Sequence, residues 1–316
     1  MMHGLARLAR HAGLLILAAV MVVAPLLFPS SFYYGVGTSI FIAGLAVVGL
    51  NLLMGFAGQV SLGHAGFFGI GAFAVAIGPT HLGLPGLASL VAGVGLAMLT
   101  AWIVGRPILR LKGHYLAVAT LGLGFLVALA LNNESAWTGG PDGMSVPRLD
   151  ILGWKVRGAA TWYWISGVAL LVGCWLALNL VDSPTGRALR ALHDSEVAAS
   201  VNGIDVAAYK LRAFVISAAY ASLAGGLAAF SDGHITPTAA GFIHSIELVT
   251  MVVLGGMGSV LGSVVGAALL KALPQVLTAL HDYEHMVLGL IMMGVMIFMR
   301  DGIGPTLSRL LIRRAA

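Results

Sequence analysis

The sequence predicts an all-α fold: a polytopic transmembrane helix bundle of about ten crossings, some of them broken helices, with both termini cytoplasmic. Three observations predict it. Hydrophobic residues make up 59% of the 316 residues and charged residues only 9%, with a mean hydropathy of +0.97. A soluble domain carries about 25% charged residues, and so few charges could not cover the surface of a soluble protein this long. Apolar stretches of spanning length recur along the whole chain, and Lys and Arg gather in alternate connections between them. The 43 glycines suit the same environment, because small residues let helices in lipid approach closely.

The first apolar stretch, 12–28, follows Arg7 and Arg10 and looks like the core of a signal peptide. No small-x-small cleavage site follows it, and Pro25 and Pro29 end the run, so the expectation is a retained helix. Further spans are expected at 36–54, 64–80, 86–105, 114–131, 161–181, 212–230, 243–256, 259–273 and 284–299. The stretches 243–256 and 259–273 are individually short and meet at Gly255-Gly256-Met257-Gly258-Ser259. They read as two passes or as one long span with a break. Charge favours two. With Arg7 and Arg10 inside, two passes also place Arg106, Arg110, Lys112, Arg187, Arg190, Lys210, Arg212, Arg300, Arg309, Arg313 and Arg314 inside. Of the 17 Lys and Arg, only Arg148, Lys155, Arg157 and Lys271 are then elsewhere. Residues 1–316 therefore read as a single transmembrane domain, with 132–160 extracytoplasmic and 182–211 cytoplasmic. The +5 net charge reflects these positive inner loops; no basic run interleaved with aromatics suggests nucleic acid.

Two Gly-rich breaks look alike: Leu53-Met54-Gly55-Phe56-Ala57-Gly58-Gln59-Val60-Ser61-Leu62-Gly63 and Leu254-Gly255-Gly256-Met257-Gly258-Ser259-Val260-Leu261-Gly262. Paired glycine-interrupted segments point to a pathway built from broken helices. Asn51, Gln59, Ser61 and His64 lie on or beside the first break. Polar side chains at membrane depth are costly unless they face a cavity or a partner helix, so they either line a solute path or bond helices together. Gly255, Gly256 and Gly258 stand at the second break. Glu247, the one carboxylate well inside a candidate span, is either a contact for a ligand's ammonium group or a residue of the outer interface.

Between 182 and 211, Ser183 can cap a helix whose first residue is Pro184. Leu189, Leu192, Glu196 and Ala199 follow at helical spacing, Gly203 stands where a terminating glycine belongs, and Asp205 can cap the next span. One short amphipathic helix over about 184–202 is expected, presenting Arg187, Arg190 and Glu196 around Leu189 and Leu192. The outer loop carries the turn Thr138-Gly139-Gly140-Pro141-Asp142-Gly143 beside Trp137 and Trp154, which read either as anchors for a docking partner or as interfacial tryptophans. Cys174 is the only cysteine, so no internal disulfide or CxxC site exists. His281 and His285 are four apart with Asp282 and Glu284 nearby, and the expectation there is an exposed loop pair with no metal. No nucleophile elbow or paired catalytic constellation occurs, so no enzyme is expected.

Glu196-Val197-Ala198-Ala199-Ser200-Val201-Asn202-Gly203 resembles the EAA loop of ABC importer permeases, departing from its general form at Val197. Gly55–His64, Lys112–Ala117, Thr138–Gly143, Ser183–Leu189 and Leu254–Ser259 together resemble the high-affinity branched-chain amino acid importers, specifically the M-type permease subunit of the leucine-isoleucine-valine system. That resemblance implies a second permease subunit, two cytoplasmic ATPase subunits and a periplasmic or lipid-anchored solute-binding protein. It also implies a place in the bacterial inner membrane. It assigns Arg187, Leu189, Arg190, Leu192, Glu196, Ala199 and Gly203 to coupling with the ATPase. No G-x-x-x-x-G-K-[ST] occurs, so ATP would be used by the partner and no cofactor is expected here. Similar permeases import urea and other small solutes, which leaves the solute open. An ion-coupled secondary transporter would want intramembrane charges that this chain scarcely has.

Overall fold

The computed structural model describes residues 2–27, 30–111, 113–151 and 154–276, with isolated positions beyond. The expected last span 284–299, the His281 and His285 pair, Lys112 and the C-terminal arginines lie outside the described residues. Every expected span from 12–28 to 259–273 coincides with a helix. They are α1 (Met2–Leu27), α2 (Ser31–Asn51), α3 (His64–His81), α4 (Gly86–Ile108) and α5 (His114–Asn133); then, after the one-turn α6 (Ser135–Thr138), α7 (Ala159–Asp182). The cytoplasmic-loop candidates form α8 (Pro184–Asp194) and α9 (Glu196–Val201), followed by α10 (Val206–Asp232), α11 (Phe242–Gly255) and α12 (Val260–Val276). Helices are the expected solution in lipid, where each backbone N–H and C=O must find a partner inside its own segment. Among the described residues five helices, α2 with its extension to Phe56, α4, α5, α7 and α10, are long and apolar enough to cross a bilayer. The apolar part of α1, α11 and α12 are shorter.

The bundle is organised around α2 and α10. In the most apolar stretch of α2 83% of residues are buried and in α10 67%, against 22% in α4 and α5, which therefore sit at the rim. Helix α10 packs along α3, α4 and α2, while α7 and α12 close the other side of α2. Small residues set the closeness of these contacts. Ala213, Ala218, Ala221, Ala224 and Ala229 of α10 are buried, and a Cβ on Gly71 would run into the Ser222 carbonyl, as one on Gly225 would into that of Phe68. Helices α3 and α10 thus touch backbone to backbone, the packing lipid-embedded helices use where apolar burial supplies no driving force.

The all-α expectation needs one addition. Residues 144–155 and 234–235 form two small antiparallel ladders, β1 (Met144–Ser145) with β4 (His234–Ile235), and β2 (Asp150–Ile151) with β3 (Trp154–Lys155). The first ladder fastens the 134–158 loop to the C-terminal end of α10. At the opposite end, α8 and α9 pack against the N-terminal part of α10, and Arg106, Arg110 and Lys210 line one cavity there together with Glu196. The two loops singled out in the sequence therefore occupy opposite ends of the bundle.

Candidate translocation and coupling site

Helix α2 does not end cleanly at Asn51. It runs into a π-helical turn, Leu52–Phe56, and irregular chain follows to Gly63. The π turn widens the backbone ladder, and Gln59 N–H closes it by bonding to Leu53 O at 3.1 Å. The second break, Gly256–Ser259 between α11 and α12, lies directly against the first: a Cβ on Gly55 would strike the Gly258 backbone. Asn51 binds the two breaks together. Its Nδ2 donates to Ser259 O (2.9 Å) and Ser263 Oγ (2.6 Å), with Gly256 O at 3.4 Å, and its Oδ1 accepts from Gly258 N–H at 2.9 Å. Of the two readings open for Asn51, the structure supports helix-to-helix bonding. It is wholly buried and fully engaged.

Its neighbours behave differently. His64 is also buried, with Nε2 bonded to Ser217 Oγ (2.8 Å) and near Ser217 O (3.2 Å), while Ser217 Oγ donates to Gly49 O (2.6 Å). Because the Ser217 hydroxyl hydrogen is used on Gly49, His64 Nε2 must be the donor, which leaves Nδ1 an acceptor. That Nδ1, Gln59 Oε1 and Ser61 Oγ are all buried without a hydrogen-bond partner among the described residues. Unsatisfied buried polar atoms are few in native structures, and here three fall within six residues at one helix break. Gly255, placed with the pathway residues by sequence, is buried against the backbone of Gly262 and Ser263.

Glu247 sits in the second turn of α11, at the end of the bundle that carries the 134–158 loop, and its side chain is 41% exposed. Its Oε2 lies 3.3 Å from Lys271 Nζ on α12 and 3.5 Å from His244 Nδ1. All three border a cavity of about 780 Å³ that also receives Asp232 and His234 from the end of α10, with Ile42, Phe68 and Leu248 on its apolar wall. Sequence reading singled out Glu247 but missed both Lys271 as its partner and Asp232. A lone cation in an apolar helix was the available signal.

The coupling loop differs from expectation in three ways. First, it is two helices. Ser195 adopts an extended backbone (φ −163°, ψ 116°) and caps α9 by accepting from Ala198 N–H at 3.2 Å, as Ser183 caps α8 by accepting from Gly186 N–H at 3.3 Å. Second, Leu189 and Leu192 are not presented outward; they are 1% and 3% exposed, because α8 turns its apolar face onto α10 and the π turn. The outward apolar residues are Val197 (70%) and Val201 (82%), four apart on α9. Third, the charged residues have partners within the chain, although Arg187 and Arg190 stay exposed as expected. Arg190 Nη2 donates to Val181 O (2.9 Å) and Arg187 Nη1 to Asp182 O (3.3 Å), satisfying carbonyls at the end of α7. Glu196 pairs with Lys210, which is 4% exposed. Ala199 is buried, and Gly203 (φ +78°) ends α9 with Gly203 N–H on Ser200 O and Ile204 N–H on Ala199 O, the paired bonds of a left-handed stop. Asp205 caps α10 through Ala208 N–H at 3.1 Å. His193, at the end of α8, lies against Gly58 in the first break.

These features define a class: a many-helix membrane protein with two apposed helix breaks, a charged cavity at one end, and a capped helix pair at the other that touches one of the breaks. The family described as "Branched-chain amino acid transport system / permease component" matches residues 33–296, and the chain belongs to that family. The high-affinity branched-chain amino acid transport system permease protein LivM of Escherichia coli K12 is 32% identical over 283 residues, covering 82% of this chain and 66% of the relative. LivM of Salmonella typhimurium gives the same figures, so the chain spans just under two thirds of the length of these relatives. LivH of Escherichia coli K12, from the same kind of system, is 25% identical over 82% of this chain and 90% of its own. No solved structure matches. Among the described residues no group of three or more His, Cys, Asp or Glu could hold a metal ion.

Proposed function

We propose that this chain is a membrane-spanning permease subunit of an ATP-driven importer of branched-chain amino acids. One observation carries the mechanism: α8, part of the loop that resembles the ATPase-docking element, packs directly on the broken stretch of α2. On this reading α9 inserts Val197 and Val201 into a cleft of a cytoplasmic ATPase, and the buried Leu189 and Leu192 pass its motion to the π turn and to Gly58. Lys210, held by Glu196, and the stop at Gly203 fix α9 relative to α10. The breaks joined by Asn51 would then shift together, since packed elements switch between discrete arrangements more readily than they deform continuously. The unpartnered Gln59, Ser61 and His64 atoms would face the solute path and its water.

The same reading makes residues 1–316 one permease domain in the bacterial inner membrane, crossing about ten times with both termini and 182–211 cytoplasmic. Similarity to both LivM and LivH supports a pair of permease subunits. Two ATPases and a solute-binding protein complete the assembly, with 134–158 contributing to the binding-protein face. The chain itself does no chemistry on the solute and binds no cofactor. Co-purification with those partners, followed by leucine uptake into vesicles loaded with ATP, tests this. Uptake that ignores ATP and follows a proton or sodium gradient would reject it.

A further inference from the structure

The cavity between α2, α10, α11 and α12 has a division of charge that the permease reading does not by itself require. Lys271 lines it together with two carboxylates, Glu247, which it contacts at 3.3 Å, and Asp232, and Ile42, Phe68 and Leu248 supply apolar wall beside them. Its volume of about 780 Å³ is of the size that holds small molecules, about 300–1,000 Å³. Glu247 is held from two directions, by Lys271 at 3.3 Å and by His244 at 3.5 Å, and His244 is in turn fixed edge-on against Phe68, ring centroids 4.8 Å apart.

Resting on the permease reading, we propose that this cavity is a binding site of the permease itself for a free zwitterionic amino acid with an apolar side chain. Lys271 takes the α-carboxylate, Glu247 and Asp232 take the α-ammonium, and the side chain lies on Ile42, Phe68 and Leu248. A zwitterion carries both charges on neighbouring atoms, so it can enter between Glu247 and Lys271 and replace their mutual contact without leaving either charge unpaired. A ligand with one charge would have to break the pair and satisfy only half of it, and a neutral solute such as urea would satisfy neither half. His244 is a positioning residue that keeps Glu247 turned to the cavity. The cavity lies at the end carrying the 134–158 loop, so an amino acid released by a binding protein docked there would meet this site first.

The test is binding of radiolabelled L-leucine to the purified permease complex in nanodiscs without binding protein, beside ATP-dependent uptake by the same complex with binding protein present. Expected is saturable binding that unlabelled leucine displaces, and that urea, leucinamide and 4-methylpentanoate, which lack one or both charges, do not. Glu247→Gln and Lys271→Met should each weaken binding about 10- to 100-fold, the loss of one charge-assisted contact. The exchange Glu247→Lys with Lys271→Glu, which keeps the ion pair and the fold, should recover part of the loss. Absent binding by the wild-type complex, binding unchanged in both single variants, or displacement by 4-methylpentanoate as effective as by leucine would overturn the site. Binding as predicted without ATP-dependent uptake would uphold the site and count against the importer reading instead.

Discussion

Replacing Asn51 by Leu should release the second helix break from the first. Leu branches as Asn does, but its methyl groups cannot sit at the 2.6–2.9 Å of the polar contacts, so the change removes those contacts and pushes the second break away. Asn51 accepts from Gly258 N–H and donates to Ser259 O and Ser263 Oγ, all at 2.6–2.9 Å, the last of them buried and the other two part-buried. Ser263 Oγ keeps a bond to Ser259 O at 3.1 Å, so its loss is partial. Interhelical hydrogen bonds in membrane proteins are worth about 0.6 kcal/mol on average and up to about 1.7. Gly258 itself is exposed, so its freed N–H is open to water and adds little to that loss. The variant should therefore lose about 1–2 kcal/mol of local stability, discounted for non-additivity. At about 1.4 kcal/mol per tenfold, hydrogen exchange of the amides across 256–260 should quicken by about 5- to 30-fold. Exchange in α4, which sits at the rim and packs on α3 and α10, should not change. Asn51→Asp should behave nearly as badly, since it keeps the acceptor for Gly258 but loses both donors. Unchanged protection at 256–260 in Asn51→Leu would refute the clamp.

Glu196→Gln should free α9 by leaving Lys210 buried without its carboxylate, costing about 1.5–3 kcal/mol; limited proteolysis within 195–204 should accelerate, and Glu196→Lys with Lys210→Glu should restore resistance. Gly203→Val places a β-branched residue at φ +78°, costing about 1–2 kcal/mol; no neighbour lies within 4 Å of its Cβ, so the protein should still insert while ATP hydrolysis stimulated by the binding protein falls, and Gly203→Asn should be milder. Val197→Asp with Val201→Asp should abolish co-purification of the ATPase without altering the permease's thermal stability. In a Cys174→Ser background, a cysteine at position 145 should react with an impermeant maleimide from outside intact cells and one at position 195 should not; the reverse pattern would invert the orientation.

The spans were readable because lipid leaves the chain few choices: about 20 apolar residues per crossing is a strong pattern. Both breaks were readable from their glycines. That the two breaks touch was not, because Asn51 and Ser263 are 212 residues apart and nothing local pairs them. Leu189, Leu192, Glu196 and Ala199 fit a single helical face across Ser195, so the pattern predicts one helix where the structure has α8 and α9. The available counter-signal was Ser195 before Glu196, a favoured cap position. The amphipathic pattern of a docking helix predicts Leu189 and Leu192 outward, but the same pattern equally serves an apolar face turned inward. By pattern Lys210 is one more positive charge on the inner side; its burial against Glu196 shows only in the fold. Glu247 drew notice as an acid in an apolar stretch, yet Lys271 lies on another helix beyond the break, so the pair was invisible before folding.

The central claim is that ATP hydrolysis on a partner moves an amino acid through this chain by way of the 184–203 loop. Uptake of radiolabelled leucine into vesicles holding the complete complex, with ATP inside and loaded binding protein outside, tests it most directly. Wild type should accumulate leucine only when both are present, while the Gly203→Val, Glu196→Lys double variant, inserted to the same level, should accumulate none. Normal uptake by that double variant, or accumulation without ATP, would contradict the account.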